Sequence, residues 1–332
     1  MAKVSVMGAG AWGIALAIVL RNNNNDVTIW SKLENEVNML KNERENSISL
    51  PGIKLQDDIK ITTDLREAAK DTDIIVMAVA SRFTRETAAA IKDMVKPGQI
   101  IVNVSKGIED VTFMTLTDVI KDELPGVEVA ALSGPSHAEE VGKGIPTSVV
   151  VGAYSKETAE KIQNVFMNNV FRVYTSPDVL GIELGGSLKN VIALAAGMAD
   201  GVGCGDNTKA ALITRGIAEL SRLGLKMGAD EKTLGGLSGI GDLIVTCASM
   251  HSRNRRAGIL IGQGKTPDEA MTEVKAVVEG VYSAKAAYNL AKKYNVSMPI
   301  VEQVNKVLFE GKEVRSAIMD LMGREKKSEI EF

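Results

Sequence analysis

Short apolar runs rich in β-branched residues alternate with amphipathic segments through the first half of the chain. Runs at Val4–Met7, Val27–Trp30, Ile59–Thr63, Asp73–Val79, Ile100–Val104, Val127–Leu132, Thr147–Gly152 and Val170–Tyr174 predict buried strands. Between them, 3.6-residue periodicity predicts helices over Trp12–Arg21, Leu33–Glu45, Leu65–Lys70, Phe83–Val95, Met114–Asp122 and Ser155–Met167. Lys96-Pro97-Gly98 is a clear breaker. Strands alternating with helices predict a mostly parallel sheet covered on both faces. From about Pro177 no convincing strand follows, and helical patterns take over at Val179–Asp200, Asn207–Met227, Pro267–Val278, Val281–Lys293 and Ile300–Glu310. The expectation is an α/β protein: a sheet domain over residues 1–177, then an all-α domain over residues 178–332.

The first strand runs into Gly8-Ala9-Gly10-Ala11-Trp12-Gly13 and then a helix of small residues. Gly8 permits the tight turn, Gly10 lets a pyrophosphate reach bare backbone, and Gly13 lets helix and strand pack closely. The free N–H groups at the helix start favour phosphate charge. In this strand–turn–helix setting the motif predicts dinucleotide binding; the bland alternative is a glycine-rich turn with no ligand. Ligands of open α/β sheets lie beyond the carboxyl ends of the strands. The loops at Ala80-Ser81, Ser105-Lys106 and Ser133–His137 therefore face the same crevice.

Composition narrows the partners. Lys and Arg total 39 against 42 for Asp and Glu, so no overall field recruits nucleic acid or an acidic membrane. The opening run turns straight into the glycine motif, unlike a signal peptide, and we expect no membrane insertion. Cys204 and Cys247 form no disulfide framework and have no metal-ligand company. A cytoplasmic protein is expected, and the exposed helical half is compatible with a homodimer.

After the second strand, NAD-preferring sites usually carry Asp or Glu to hold the ribose 2′-hydroxyl. Here the chain reads Trp30-Ser31-Lys32, with the nearest acid at Glu34. A hydroxyl and a cation suit a 2′-phosphate, so NADP(H) is expected over NAD(H). Otherwise Lys32 merely opens an exposed helix.

Three clusters could carry chemistry. In Glu183–Ala193, Lys189 is displaced from an apolar stripe and surrounded by Gly185, Gly186 and Ala193, with Gly197 further along. Glycine costs a helix about 1 kcal/mol relative to alanine. Bare backbone around one lysine suits a ligand, and a partly buried lysine is pushed toward neutral. The alternative is close helix packing with Lys189 snorkelling to water. Gly235–Ile244 delivers Asp242, which could orient a lysine or substrate hydroxyl or cap a helix. Ser252-Arg253-Asn254-Arg255-Arg256 offers what a phosphate monoester needs, or is a solvated surface run. His137 could be a base, though a lone loop histidine is more often a structural donor.

Gly8–Gly13, Ser133–Ala138, Gly185–Asn190, Gly239–Thr246 and Ser252-Arg253-Asn254 occur together and in this order. The chain, from Val4 to about Met322, thereby resembles bacterial soluble NAD(P)-dependent glycerol-3-phosphate dehydrogenases. The resemblance implies a Rossmann-like nucleotide domain and reduction of dihydroxyacetone phosphate to sn-glycerol 3-phosphate for phospholipid synthesis. It implies Lys189 as proton donor and acceptor, with Lys106, Gly134, Ser136, Asp242, Ser252, Arg253 and Asn254 around the substrate. For the cofactor it implies Ala11, Trp12, Lys32, Lys106, Ala138, Arg253, Val277 and Glu279 beside the glycine turn. Ile14 departs from the threonine common there, and the run Asn22–Asn25 replaces an Asn-Gly-like turn. Rival readings are a two-domain NADP-dependent dehydrogenase of a carboxylate substrate, such as a 2-hydroxyacid or ketopantoate reductase, and a non-catalytic NADP(H)-sensing protein.

Overall fold

The computed structural model describes residues 1–275, 277–326, 328 and 329. Eight strands form one sheet: β1 (Lys3–Met7), β2 (Asp26–Trp30), β3 (Lys60–Thr62), β4 (Ile74–Met77), β5 (Ile100–Asn103), β6 (Glu128–Ser133), β7 (Thr147–Ala153) and β8 (Phe171–Ser176). Their spatial order is β3-β2-β1-β4-β5-β6-β7-β8. All neighbours are parallel except β6 and β7, which pair antiparallel with Ala130 opposite Ala153. One face buries Val4, Val6, Ile29 and Val102 under the helices Ala11–Asn22 and Lys156–Phe166. The other buries Met7, Ile75, Met77 and Ile101 with Ala88, Ile91 and Ile120. Both faces are therefore covered, which is what unbroken apolar strands require.

The order steps outward from β1 in both directions, so the crevice beyond β1 and β4 is the switch point of the sheet. Gly8 stands there at φ +126°, where a Cβ would also lie 2.7 Å from the Ala78 carbonyl oxygen. A Cβ at Gly13 would meet the Gly8 carbonyl oxygen at 2.1 Å. The asparagine run does the work of a glycine turn: Asn24 takes φ +61°, and the Asn25 Oδ1 accepts the Ala2 N–H at 3.1 Å.

The helical half is wrapped around one helix, Val179–Gly201, which is buried almost throughout. No membrane-length apolar stretch is apparent from the sequence, yet this helix is long and apolar enough, at mean hydropathy 1.4, to qualify by composition. Protein covers it: 94% of that window is buried. Its glycines serve packing. A Cβ at Gly197 would lie 2.1 Å from the Arg255 carbonyl oxygen, and one at Gly258 2.3 Å from that of Leu194. The helices Val179–Gly201 and Arg253–Gly262 thus meet backbone to backbone.

Three expectations are corrected. The helix foreseen over Phe83–Val95 begins as a 3₁₀ turn, Ser81–Phe83, and its α-helical part is only Thr84–Ala90. Beyond it the chain tightens into three-residue turns, with Ile91 N–H on Ala88 O and Met94 N–H on Ile91 O. Conversely, Glu231–Leu234, Asp242–Ala248, Arg253–Gly262 and Val314–Met322 are helices that periodicity missed. A π-helical turn, Leu237–Gly241, leads into Asp242. In the Arg253–Gly262 helix the glycines that lower propensity answer to a neighbour: a Cβ at Gly258 or Gly262 would lie 2.3 Å from the carbonyl oxygen of Leu194 or Met198. The Pro267–Val274 helix stops short of the predicted end, and Ala276 lies outside the described residues.

Candidate active site

Three elements converge beyond the sheet: the loop after β5 bearing Lys106, the loop after β6 bearing Gly134 and Ser136, and the Val179–Gly201 helix bearing Lys189. Asp242, at the start of the Asp242–Ala248 helix, joins them. Its Oδ1 accepts from Lys189 Nζ, and its Oδ2 accepts from Lys106 Nζ at 2.7 Å. Lys189 Nζ also donates to Thr246 Oγ1 at 2.7 Å. Lys106 Nζ donates to the Gly134 carbonyl at 3.1 Å and reaches Ser136 Oγ at 3.4 Å. Lys189 does not snorkel; it is 5% exposed, while Lys106 is half-buried toward the crevice. One carboxylate thus serves two ammonium groups, leaving a net positive charge in a nearly dry place. Burial pushes Lys189 down to about 7; Asp242 pulls it back up and Lys106 adds to the push. Such a group carries and releases a proton near neutrality.

The Val179–Gly201 helix also fixes the Lys106 loop. Glu183, buried, accepts from Asn103 Nδ2 and Thr117 N–H at 3.0 Å each and from the Thr117 hydroxyl. Asn103 in turn holds Ser105 through its N–H and carbonyl, both at 3.1 Å. Ser187 donates to the Gly107 carbonyl at 2.9 Å. Sequence reasoning assigned no role to Thr246 or Glu183. Thr246 stands one helical turn after Asp242, and Glu183 is an acid inside an apolar stripe; both signals were present.

The arginine cluster divides. Arg255 is held by Asp200 at 2.7 and 2.9 Å and by the Ala248 carbonyl, so it is structural. Ser252 caps its helix by accepting the Arg255 N–H at 3.2 Å. Asn254 is buried, donating to Asn190 Oδ1 at 2.9 Å and accepting the Gly280 N–H at 2.8 Å. That commits its oxygen and one N–H to the protein, beside the residue that follows Lys189. Arg253 is exposed and has no ion pair among the described residues. Arg256 also has no ion pair among the described residues, but it is half-buried and its Nε is buried without a partner, so Arg253 is the one of the two unpaired guanidinium groups that is exposed. His137 has a structural partner, the Val245 carbonyl 3.5 Å from its Nε2, and its ring lies 5.7 Å from that of His251.

The nucleotide side fits a pyrophosphate. The helix Ala11–Asn22 has Gly10 at its N-cap with no side-chain cap, so its first N–H groups are free. A Cβ at Gly10 would meet nothing within 4 Å, which is the bare approach the motif predicts. The Trp12 indole nitrogen is buried without a partner among the described residues. Ala138 is buried at the start of the short helix Ala138–Val141. Glu279 lies where the two halves meet, accepting the Ser81 N–H at 3.1 Å and the Ser81 hydroxyl, and Val277 is half-buried two residues before it. Burial pushes the Glu279 carboxyl up.

At the end of β2 the hydroxyl expected to greet a 2′-phosphate is already used. Ser31 is buried and donates to Glu36 Oε2 at 2.6 Å. Lys32 is exposed, with its Nζ 2.7 Å from Glu86 Oε1.

Comparison with known proteins gives the family. The family described as NAD-dependent glycerol-3-phosphate dehydrogenase matches by its N-terminus over residues 3–159 and by its C-terminus over residues 178–319. A glycerol-3-phosphate dehydrogenase [NAD(P)+] of Agathobacter rectalis is 63% identical, covering 99% of this chain and 98% of its own. That of Fusobacterium nucleatum is 60% identical over 100% and 99%. The crystal structure of the Coxiella burnetii glycerol-3-phosphate dehydrogenase superposes with a TM-score of 0.94 at 34% identity, over 97% of this chain and 99% of that one. With both halves matched in order and relatives similar from end to end, the chain belongs to the NAD-dependent glycerol-3-phosphate dehydrogenase family.

Proposed function

We propose that this chain reduces dihydroxyacetone phosphate to sn-glycerol 3-phosphate, reversibly, with NAD(P)H. The observation that carries the reading is Lys189, buried and donating to both Asp242 and Thr246, a burial that pushes its ammonium down toward neutral. A bound reduced nicotinamide supplies hydride. The protein does the rest. Protonated Lys189 gives its proton to the substrate carbonyl oxygen, which otherwise would carry the developing negative charge alone. Lys106 adds a fixed positive charge in a water-poor site, where it is worth more than in bulk. Asp242 holds both ammonium groups in place, and Thr246 fixes the rotamer of Lys189. Arg253 anchors the remote phosphate, with Ser252 and Asn254 shaping the helix start that presents it; remote anchoring orients the carbonyl. Lys189, once neutral, regains its proton from solvent, and the neutral form is the base for the reverse direction.

The cofactor residues of this reading are Gly8, Gly10, Ala11, Trp12, Gly13, Lys32, Lys106, Ala138, Arg253, Val277 and Glu279. The junction of the two domains is set at residues 177 and 178, supported by the end of β8 at Ser176 and the helix start at Val179. A cytoplasmic homodimer feeding phospholipid synthesis completes the reading. Exposed Phe309, Met319 and Met322 on the helical half support the dimer, and a monomeric mass in sedimentation would remove it. A free guanidinium at Arg253 favours a phosphorylated substrate over a bare carboxylate, and the Lys189–Asp242 pair favours turnover over cofactor sensing.

Lys189→Met tests the reading, because methionine keeps the length and removes the proton. Wild type oxidises NADPH only when dihydroxyacetone phosphate is added, and the variant loses about 10²- to 10⁴-fold in kcat. Circular dichroism checks that the variant is folded. A folded variant with full activity defeats the assignment.

A further inference from the structure

The end of β2 lacks the acid that an NAD site carries, but the structure brings one there from elsewhere. Trp30 pairs with Met7, so Lys32 stands two residues past the strand end, beside the Gly8–Gly10 turn. This is where the adenosine ribose of a dinucleotide lies in such sheets. Glu86 reaches the same place from the Thr84–Ala90 helix, which follows β4. Its Oε1 is 2.7 Å from Lys32 Nζ, and the two side chains are 61% and 72% exposed. The neighbouring Arg85 turns elsewhere, held by Glu109, Asp122 and Glu123. Ser31 is committed to Glu36. Lys32 and Glu86 are thus the exposed ion pair at this strand end, beside the half-buried Glu36 carboxylate that already holds Ser31.

We propose that Glu86 is a selectivity residue that penalises the 2′-phosphate of NADP(H) and keeps the site open to NAD(H). The inference rests on the nucleotide-binding reading above. A 2′-phosphate carries nearly two negative charges. It must take Lys32 away from Glu86 and then sit beside a carboxylate of its own sign. A 2′-hydroxyl faces neither demand, and it donates to a carboxylate. The rule that an acid follows the second strand is met here from the helix after β4, a strand set one place from β2 across β1, by a side chain long enough to reach Lys32.

The test uses non-reactive probes, 2′,5′-ADP and ADP, titrated calorimetrically into the full chain. Glu86→Gln keeps the shape and removes the charge. The selectivity ratio, Kd for ADP over Kd for 2′,5′-ADP, rises about three- to tenfold, as expected for an exposed charge acting on a doubly charged group. Lys32→Gln lowers the ratio. Both changes shrink when salt is raised to about 0.5 M, because exposed charges are then screened; a change of shape alone would ignore salt. In turnover, the ratio of kcat/KM for NADPH over NADH moves in the same direction. A Glu86→Gln protein that binds both probes with the wild-type ratio, or with a gain insensitive to salt, overturns the proposal while leaving nucleotide binding intact. A wild-type chain that binds neither probe overturns the nucleotide reading itself.

Discussion

Replacing Asp242 by asparagine keeps the shape of the pivot and removes its charge. In the wild type this carboxylate, 1% exposed on its side chain, accepts from both Lys189 and Lys106. Two unit charges about 4 Å apart at an effective dielectric constant of about 20 attract by about 4 kcal/mol, or about three pKa units, as an upper bound. Allowing for relaxation and water entry, a loss of about two units is expected. Lys189 starts at about 7 with Asp242 in place. It would fall to about 5, since Asp242 is the group pulling it up while burial and Lys106 push it down. The reductive direction needs protonated lysine, so its rate declines as pH rises through the Lys189 pKa. At pH 7 the protonated fraction drops from about one half to about one in a hundred, and kcat for reduction falls by about 50-fold. The assay is the initial rate of NADPH oxidation with saturating dihydroxyacetone phosphate from pH 5 to 9. The descending limb of the profile moves by about two units toward acid, and activity returns in part at low pH. A variant that loses activity with the limb unmoved refutes the reasoning. Asp242 would then be a positioning group whose charge does not tune the acid.

Two other perturbations probe separate parts of the account. Arg253→Ala removes the exposed guanidinium at the helix start; KM for dihydroxyacetone phosphate rises about 10- to 100-fold, as for loss of a charge-assisted hydrogen bond to phosphate, with a smaller change in kcat. An unchanged KM removes Arg253 from the phosphate site. Gly197→Ala puts a Cβ 2.1 Å from the Arg255 carbonyl oxygen, and backbone cannot step aside as a side chain can. Urea unfolding should show a loss of about 2–3 kcal/mol from overpacking between the two helices, whereas an unshifted midpoint would mean that they do not meet so closely.

Much of the molecule was legible from local pattern. The eight apolar runs became eight strands; in central ones such as β4 and β5, buried on both faces, the run is unbroken, while β8 at the edge alternates, burying Phe171 and Val173 and exposing Arg172 and Tyr174. The glycine turn was readable because its demands, a positive φ at Gly8 and bare backbone at Gly10, are met within a few residues. The lysine at 189 stood out for its glycine surroundings, although the reason proved mixed. The ammonium is buried and paired, while Gly185 and Gly197 answer to Ser238 and Arg255.

What the chain could not state locally were the pairings across long separations. Asp242 meets Lys189 across 53 residues and Lys106 across 136, and Glu279 meets Ser81 across 198. Asn254, which reads locally as a phosphate donor, spends its amide on Asn190 and Gly280. The charge facing Lys32 arrives on the helix after β4, and the strand order brings β4 within one strand of β2, across β1. Residue type and spacing determine which backbone shapes and which chemistries are available. Which charges share a dry space, and so which proton moves near neutral pH, depends on distances and dielectric surroundings that exist only once the helices and the sheet have closed on one another.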